Sequence, residues 1–201
     1  MASKHPLRLT DRFQDAYSFA STLHAHQKRK GTDIPYISHL MGVTALVLED
    51  GGNEDQAIAA MLHDAVEDQG GLKTLEEIRQ RFGQLVAEIV DGCTDAYSHP
   101  KPPWKQRKQA YLAHLPQASP DVVRVSLSDK LHNARSIHAD LQRNGVATWK
   151  RFNGGRDGTL WYYRSLVDIF IDCSSSPMVA ELQRVVQAIE AFAGGNQKAS
   201  R

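Results

Sequence analysis

The segment Met61-Leu62-His63-Asp64-Ala65-Val66-Glu67-Asp68 sets an imidazole and three carboxylates inside an otherwise apolar stretch. On a helix turning about 100° per residue, with His63 at zero, Glu67 falls near 40°, Asp64 near 100° and Asp68 near 140°. Ile58, Ala59, Leu62, Ala65 and Val66 occupy the opposite arc, so this spacing predicts one helix with a packed back and an acidic front. A solvated face would carry Lys, Arg or Gln. This one carries only imidazole and carboxylate, the donors that bind divalent ions. A catalytic ion needs three or four protein donors and an open position, so further ligands are expected elsewhere in the chain.

Two residues qualify. His39 shares a stripe with Val43 and Leu46 and must turn inward with them, either as a ligand or as a hydrogen-bonded core histidine. Asp129 lies four residues after Val125 and seven after Val122, on the core side of its helix, where an unpaired charge is costly. An arginine or a metal would each satisfy it.

The elements that position these groups read as helices. Helical spacing runs from Asp11 to Gln27, from Ile37 to the Gly51-Gly52 stop, and from an Asn53 cap through His63 and Asp64 to Gly70-Gly71. Thr74 to Glu77 reads as a capping box for a helix ending at Gly83, and Leu85, Ile89 and Val90 mark the next. The prolines after His99 make a stiff connector to a helix from Trp104 to Leu115. Ser119-Pro120-Asp121 starts a long helix to Gly145; the alternation Val123 to Ser128 also fits a strand, but Leu127, Leu131, Ala134 and Leu141 continue the helical period. Asn153 to Gly158 reads as a glycine-rich loop, followed by helices from Leu160 to Cys173 and from Pro177 to Phe192. The expected fold is therefore all-α, one domain over residues 1–193 with one core and no repeat, and a frayed tail over 194–201.

With 201 residues, 41% hydrophobic residues and no long apolar run, the chain reads as a globular protein without a membrane partner. The first residues lack an apolar signal segment, and Cys93 and Cys173 offer no disulfide framework, so a cytoplasmic address is expected. A net charge of +1 argues against nucleic acid as partner, and no oligomeric state follows. Locally, cations gather at Lys28-Arg29-Lys30 and across Lys101, Lys105, Arg107 and Lys108, while acids gather from Asp64 to Asp68. That split suits an enzyme holding an anion against a metal. The second basic tract reads equally well as a solvated face; Lys108 is the side chain expected to reach the pocket, and Tyr162 and Tyr163 read as core.

The order His39, His63-Asp64, Asp129 resembles the signature of HD-domain metal-dependent phosphohydrolases. The strings Gln27-Lys28-Arg29-Lys30-Gly31, Pro35 to His39, His63 to Asp68 and Leu127 to Arg135 are similar to successive motifs of the hydrolase domain in the RelA/SpoT superfamily. This narrows the resemblance to a stand-alone small alarmone hydrolase. It implies an HD-domain helical bundle in which His39, His63, Asp64 and Asp129 hold one divalent ion, manganese in that family. Imidazole and carboxylate also admit iron or zinc.

It further implies that Glu67 and Asp68 orient and deprotonate the attacking water, that Arg29 meets the guanine base with Lys28 and Lys30 nearby, and that Asn133 and Ser136 contact the nucleotide. Ser136 replaces the usual Thr, and Leu40 stands where Pro is common. The implied reaction releases pyrophosphate from the 3′ position of (p)ppGpp, giving GDP or GTP. The same site could serve an adenine alarmone or the 2′-phosphate of NADPH. A non-catalytic nucleotide-binding module would be marked by a lost ligand or acid, and none is lost.

Overall fold

A computed structural model describes residues 8–97 and 100–195. Among these described residues ten α-helices follow one another: α1 (Asp11–Leu23), α2 (Ile37–Glu49), α3 (Glu54–Leu62), α4 (Ala65–Asp68), α5 (Leu72–Phe82), α6 (Gln84–Cys93), α7 (Trp104–His114), α8 (Pro120–Asn144), α9 (Gly155–Cys173) and α10 (Pro177–Gly195). Two 3-10 turns, Leu115–Gln117 and Gly145–Arg151, flank α8. Among the described residues there is no strand, and no helix is long and apolar enough to cross a membrane. The strand alternative for Val123 to Ser128 is thereby settled as helix.

The local signals that hold are those with a hydrogen bond behind them. Asn53 closes a full capping box with Gln56 at the start of α3, its side chain accepting from Gln56 N at 2.9 Å and its own N–H donating to Gln56 Oε1 at 2.9 Å. Ser119 caps α8, and Gly145 ends it at φ 59°, a conformation open to glycine at little cost. The basic loop after α1 is pinched shut by an isolated antiparallel bridge between Lys28 and Pro35, with Arg29 N–H donating to Ile34 O at 2.9 Å. This bridge fixes where Arg29 leaves the backbone.

Six expectations are corrected. The helix carrying His63 and Asp64 is interrupted there, α3 ending at Leu62 and α4 starting at Ala65. His63 Nδ1 bonds Ala60 O at 2.8 Å, the carbonyl a continuous helix would offer to the backbone N–H of Asp64. Thr74 does not cap α5, which starts at Leu72; its hydroxyl donates to Gln69 O instead. The glycine-rich segment is partly helical, because α9 begins at Gly155, and α10 runs on through Gly194 and Gly195. The remainder of the expected tail, 196–201, lies outside the described residues. α1 stops at Leu23, short of Gln27.

The sixth correction concerns the core. Buried residues form two clusters that share α8: Val122 and Val125 belong with α1 to α6, whereas Val123, Leu127, Leu131 and Leu141 belong with α7, α9 and α10. The N-terminal part of α8 is accordingly buried nearly all round, every residue from Val122 to Asp129 except Arg124. Each fully buried Leu there stabilises by about 1.5–3 kcal/mol, which clamps Asp129, on the same helix, in place.

Candidate metal centre and substrate cavity

α2 contributes His39, the α3–α4 junction contributes His63 and Asp64, and α8 contributes Asp129. His39 Nε2 lies 3.1 Å from Asp129 Oδ1 and 3.5 Å from Asp64 Oδ2; His63 Nε2 lies 3.0 Å from Asp64 Oδ2 and 3.6 Å from Asp129 Oδ1. His39, His63 and Asp129 are buried, and each offers one donor atom within 4.8 Å of the others. Asp64 Oδ2 faces the same point from the side nearest solvent.

Both Nε2 atoms are buried without a well-formed hydrogen bond. Buried imidazole nitrogens are normally satisfied, so this pair, opposite two carboxylate oxygens, fits a divalent cation. Burial alone pulls the His63 imidazole toward neutrality, but the carboxylates of Asp64 and Asp129 outweigh it and hold its proton affinity well above the usual value. The site therefore favours positive charge at its centre.

The outer bonds orient these donors. His63 Nδ1 is committed to Ala60 O, which leaves Nε2 for the centre. His39 Nδ1 lies 2.9 Å from His132 Nδ1, whose imidazole burial lowers to about 4, so a neutral acceptor meets the His39 N–H. His132 packs against Gly42, where a Cβ would overlap its ring. Tyr36 donates its hydroxyl to Asp64 Oδ2 at 2.6 Å. Asp129 accepts from Lys130 Nζ and from Asn133 Nδ2, each at 2.5 Å, so a lysine supplies the cation expected of an arginine.

The acidic pair sits on α4, just past Asp64. Lys101 Nζ lies 2.7 Å from Glu67 Oε1 and 2.9 Å from Asp68 Oδ1, and Gln27 Nε2 donates to Asp68 Oδ2 at 2.8 Å. Burial, with the charges of Asp95 and Asp64, pushes the Glu67 carboxyl up to about 7 against the pull of Lys101. Asp95 is itself held ionised, near 2, because Lys108 and Arg107 outweigh its desolvation.

Beside this centre opens a cavity of about 710 Å³, with Asp68, Lys130, His132 and Asn133 at its near wall. Lys28, Arg29, Lys30, Lys108, Asn133 and Ser136, the six residues expected to touch substrate, all line it. Arg29 stands 5.7 Å above the Tyr36 ring and donates to Asn133 Oδ1 at 2.6 Å. Lys28 and Lys30 pair with Asp33 and Asn153. Lys108 is paired with Asp95 at 2.6 Å, and the Ser136 hydroxyl donates to His132 O. Tyr162 and Tyr163 are buried as expected, yet both also form cavity wall.

The sequence matches the HD domain family over residues 16–160. The chain belongs to that family. This HD domain is 40% identical over 138 residues to the guanosine-3′,5′-bis(diphosphate) 3′-pyrophosphohydrolase MESH1 of Xenopus tropicalis, covering 67% of this chain and 72% of that one. It is 36% identical over 127 residues to the enzyme of the same description in Aquifex aeolicus, covering 63% of this chain but 18% of that longer protein. A solved structure described as a metazoan ortholog of SpoT superposes with a TM-score of 0.74 over 90% of this chain and 97% of its own, at 24% identity, and so shares the fold.

Several residues of this HD domain that organise the centre were not singled out from sequence. Gln27, Tyr36 and His132 lie inside the motif strings, but their partners are 28 to 93 positions away. Gly42, a glycine inside an apolar helix, was the available signal of a close approach. Asp95 left no such mark, and Lys101 showed only as one of a basic tract, since nothing local distinguishes a lysine that folds back onto a carboxylate.

Proposed function

We propose that this HD domain removes the 3′-pyrophosphate of guanosine alarmones, converting (p)ppGpp to GDP or GTP and pyrophosphate, with manganese as its ion. The observation that carries the reading is the pairing of two buried Nε2 atoms and two carboxylates with a cation-lined cavity wide enough for a nucleotide. The resemblance to MESH1, whose description names that reaction, supports the substrate class. Free thiols at Cys93 and Cys173 suit a reducing cytoplasm.

His39, His63, Asp64 and Asp129 would hold the ion. When bound, a divalent ion offsets phosphate charge, polarises a phosphoryl oxygen and acidifies water. Glu67 and Asp68 take up the proton of the attacking water as its oxygen bonds to phosphorus, a contribution of about 10² to 10⁴ in rate. The bond from phosphorus to the 3′ oxygen breaks, and that oxygen leaves with the electron pair and takes up a proton, balancing the one the acidic pair accepted from water. A carboxyl near 7 is well placed to accept a proton at neutral pH. Arg29, backed by Tyr36, presents a flat cation to the base, with Lys28, Lys30, Lys108, Asn133 and Ser136 along the cavity for phosphates and ribose.

Purified protein supplied with Mn²⁺ and ppGpp should release pyrophosphate, and Asp64→Ala should lose both metal and turnover. Intact metal content with no pyrophosphate from ppGpp would overturn the reading. A panel adding an adenine alarmone and NADPH then reads the base preference directly.

A further inference from the structure

The two carboxylates that must accept a proton are tied to a lysine ammonium that the outlined reaction leaves idle. Lys101 Nζ lies 2.7 Å from Glu67 and 2.9 Å from Asp68, and a carboxylate held this closely by a cation is a poorer proton acceptor. We propose that Lys101 is a substrate-binding catalytic residue that changes partners, holding Glu67 and Asp68 before substrate arrives and moving to the pyrophosphate being cleaved, which frees the pair to accept the proton. This rests on the hydrolase reading above.

Three observations favour the exchange. Asp68 lines the cavity and Lys101 does not, so the ammonium on Asp68 Oδ1 stands directly behind a wall residue of the cavity. Lys101 sits between Pro100 and Pro102, whose rings restrict the backbone and leave the four-carbon side chain as the moving part. The neighbouring cations are committed to other anions: Arg107 and Lys108 to Asp95, and Lys130 to Asp129. Of these four, Lys101 alone holds both Glu67 and Asp68; Arg107, bound to Asp95, reaches only Glu67, at 3.5 Å.

The exchange is close to neutral in charge. One ion pair replaces another, and a pyrophosphate offers more negative charge than the two carboxylates Lys101 leaves. Glu67 otherwise faces Asp64, Asp95 and Arg107, the last at 3.5 Å, while Asp68 keeps the neutral Gln27 donor. Loss of the Lys101 cation therefore raises the proton affinity of the pair when a base is needed.

The test compares wild type with Lys101→Met, Lys101→Arg and Lys105→Met. Lys105 lies on the same tract but stacks over the Trp161 ring and serves as control. Pyrophosphate titrated into manganese-loaded protein should bind about tenfold or more weakly to Lys101→Met, with Lys101→Arg recovering most of the loss and Lys105→Met unchanged. With ppGpp, KM should rise by a similar factor. In wild type the acidic limb of kcat, reporting the complex, should lie at higher pH than that of kcat/KM, reporting the free enzyme, and this gap should close in Lys101→Met. Equal pyrophosphate affinity in wild type and Lys101→Met, or an unchanged gap, would overturn the exchange. Weakened pyrophosphate binding in a protein that leaves ppGpp intact would instead overturn the hydrolase reading and retain the phosphate contact.

Discussion

Gly42→Ala adds one methyl group to α2, and its effect follows from the ring it would strike. The new Cβ overlaps Nε2 and Cδ2 of His132, and ordinary contact is restored only if that ring retreats by about 1 Å. The His39 Nδ1 to His132 Nδ1 separation, now 2.9 Å, then passes beyond hydrogen-bond range. His39 loses the partner that fixes its ring and tautomer with Nε2 toward Asp129. Loss of such an outer partner weakens metal binding by about 10- to 100-fold, or about 1.4–2.7 kcal/mol. Stability should move less. Alanine gains about 1 kcal/mol of helix propensity over glycine, against about 1–3 kcal/mol for overpacking, so the metal-free protein should lose about 0–2 kcal/mol. Calorimetric titration of Mn²⁺ reads the first quantity and thermal unfolding of metal-free protein the second. Unchanged affinity with a raised Tm would show that His132 does not hold His39.

Glu67→Gln should retain the ion and lose about 10²- to 10⁴-fold in turnover, measured as pyrophosphate release beside elemental analysis. The same group makes a stability prediction. Its folded carboxyl sits near 7, above the unfolded value of about 4.5, so its contribution is fully present below pH 4.5 and lost as pH rises through 7. In metal-free protein Glu67→Gln should therefore be more stable to unfolding than wild type at pH 8, by up to about 3 kcal/mol, and the difference should shrink toward pH 4.5; equal melting at both pH values would contradict the burial argument. Gly154→Ala would put a Cβ 2.6 Å from the Trp104 ring, which forms cavity wall, and should cost about 1–3 kcal/mol in thermal unfolding while raising KM more than it lowers kcat.

The candidate metal donors were legible because their types conflict with their positions. An imidazole on an apolar stripe and a carboxylate on the core side of a helix each demand a partner, and the structure brings His39, His63, Asp64 and Asp129 to one point. The helical wheel that first joined His63 to Glu67 and Asp68 was wrong in detail. Its acids still meet, because the break at His63 and Asp64 turns the chain only slightly: His63 and Asp64 both keep right-handed helical dihedrals. Thr74 failed as a cap for a similar reason, a side chain near the backbone choosing Gln69 O over the helix start.

Sequence by itself determined most of the helices, the long α8 between its Ser119 cap and Gly145, and the candidate donor set, because periodicity, caps and residue type act over a few positions. Tertiary structure alone decided that α8 is shared by two cores, that His132 stands behind His39, that Lys108 rests on Asp95, and that Lys101 crosses to Glu67 and Asp68. Those pairings join residues 13 to 93 positions apart, and each is chosen by which charge or ring is left without water once the helices close. A local pattern records what a residue needs, and packing decides which distant residue supplies it.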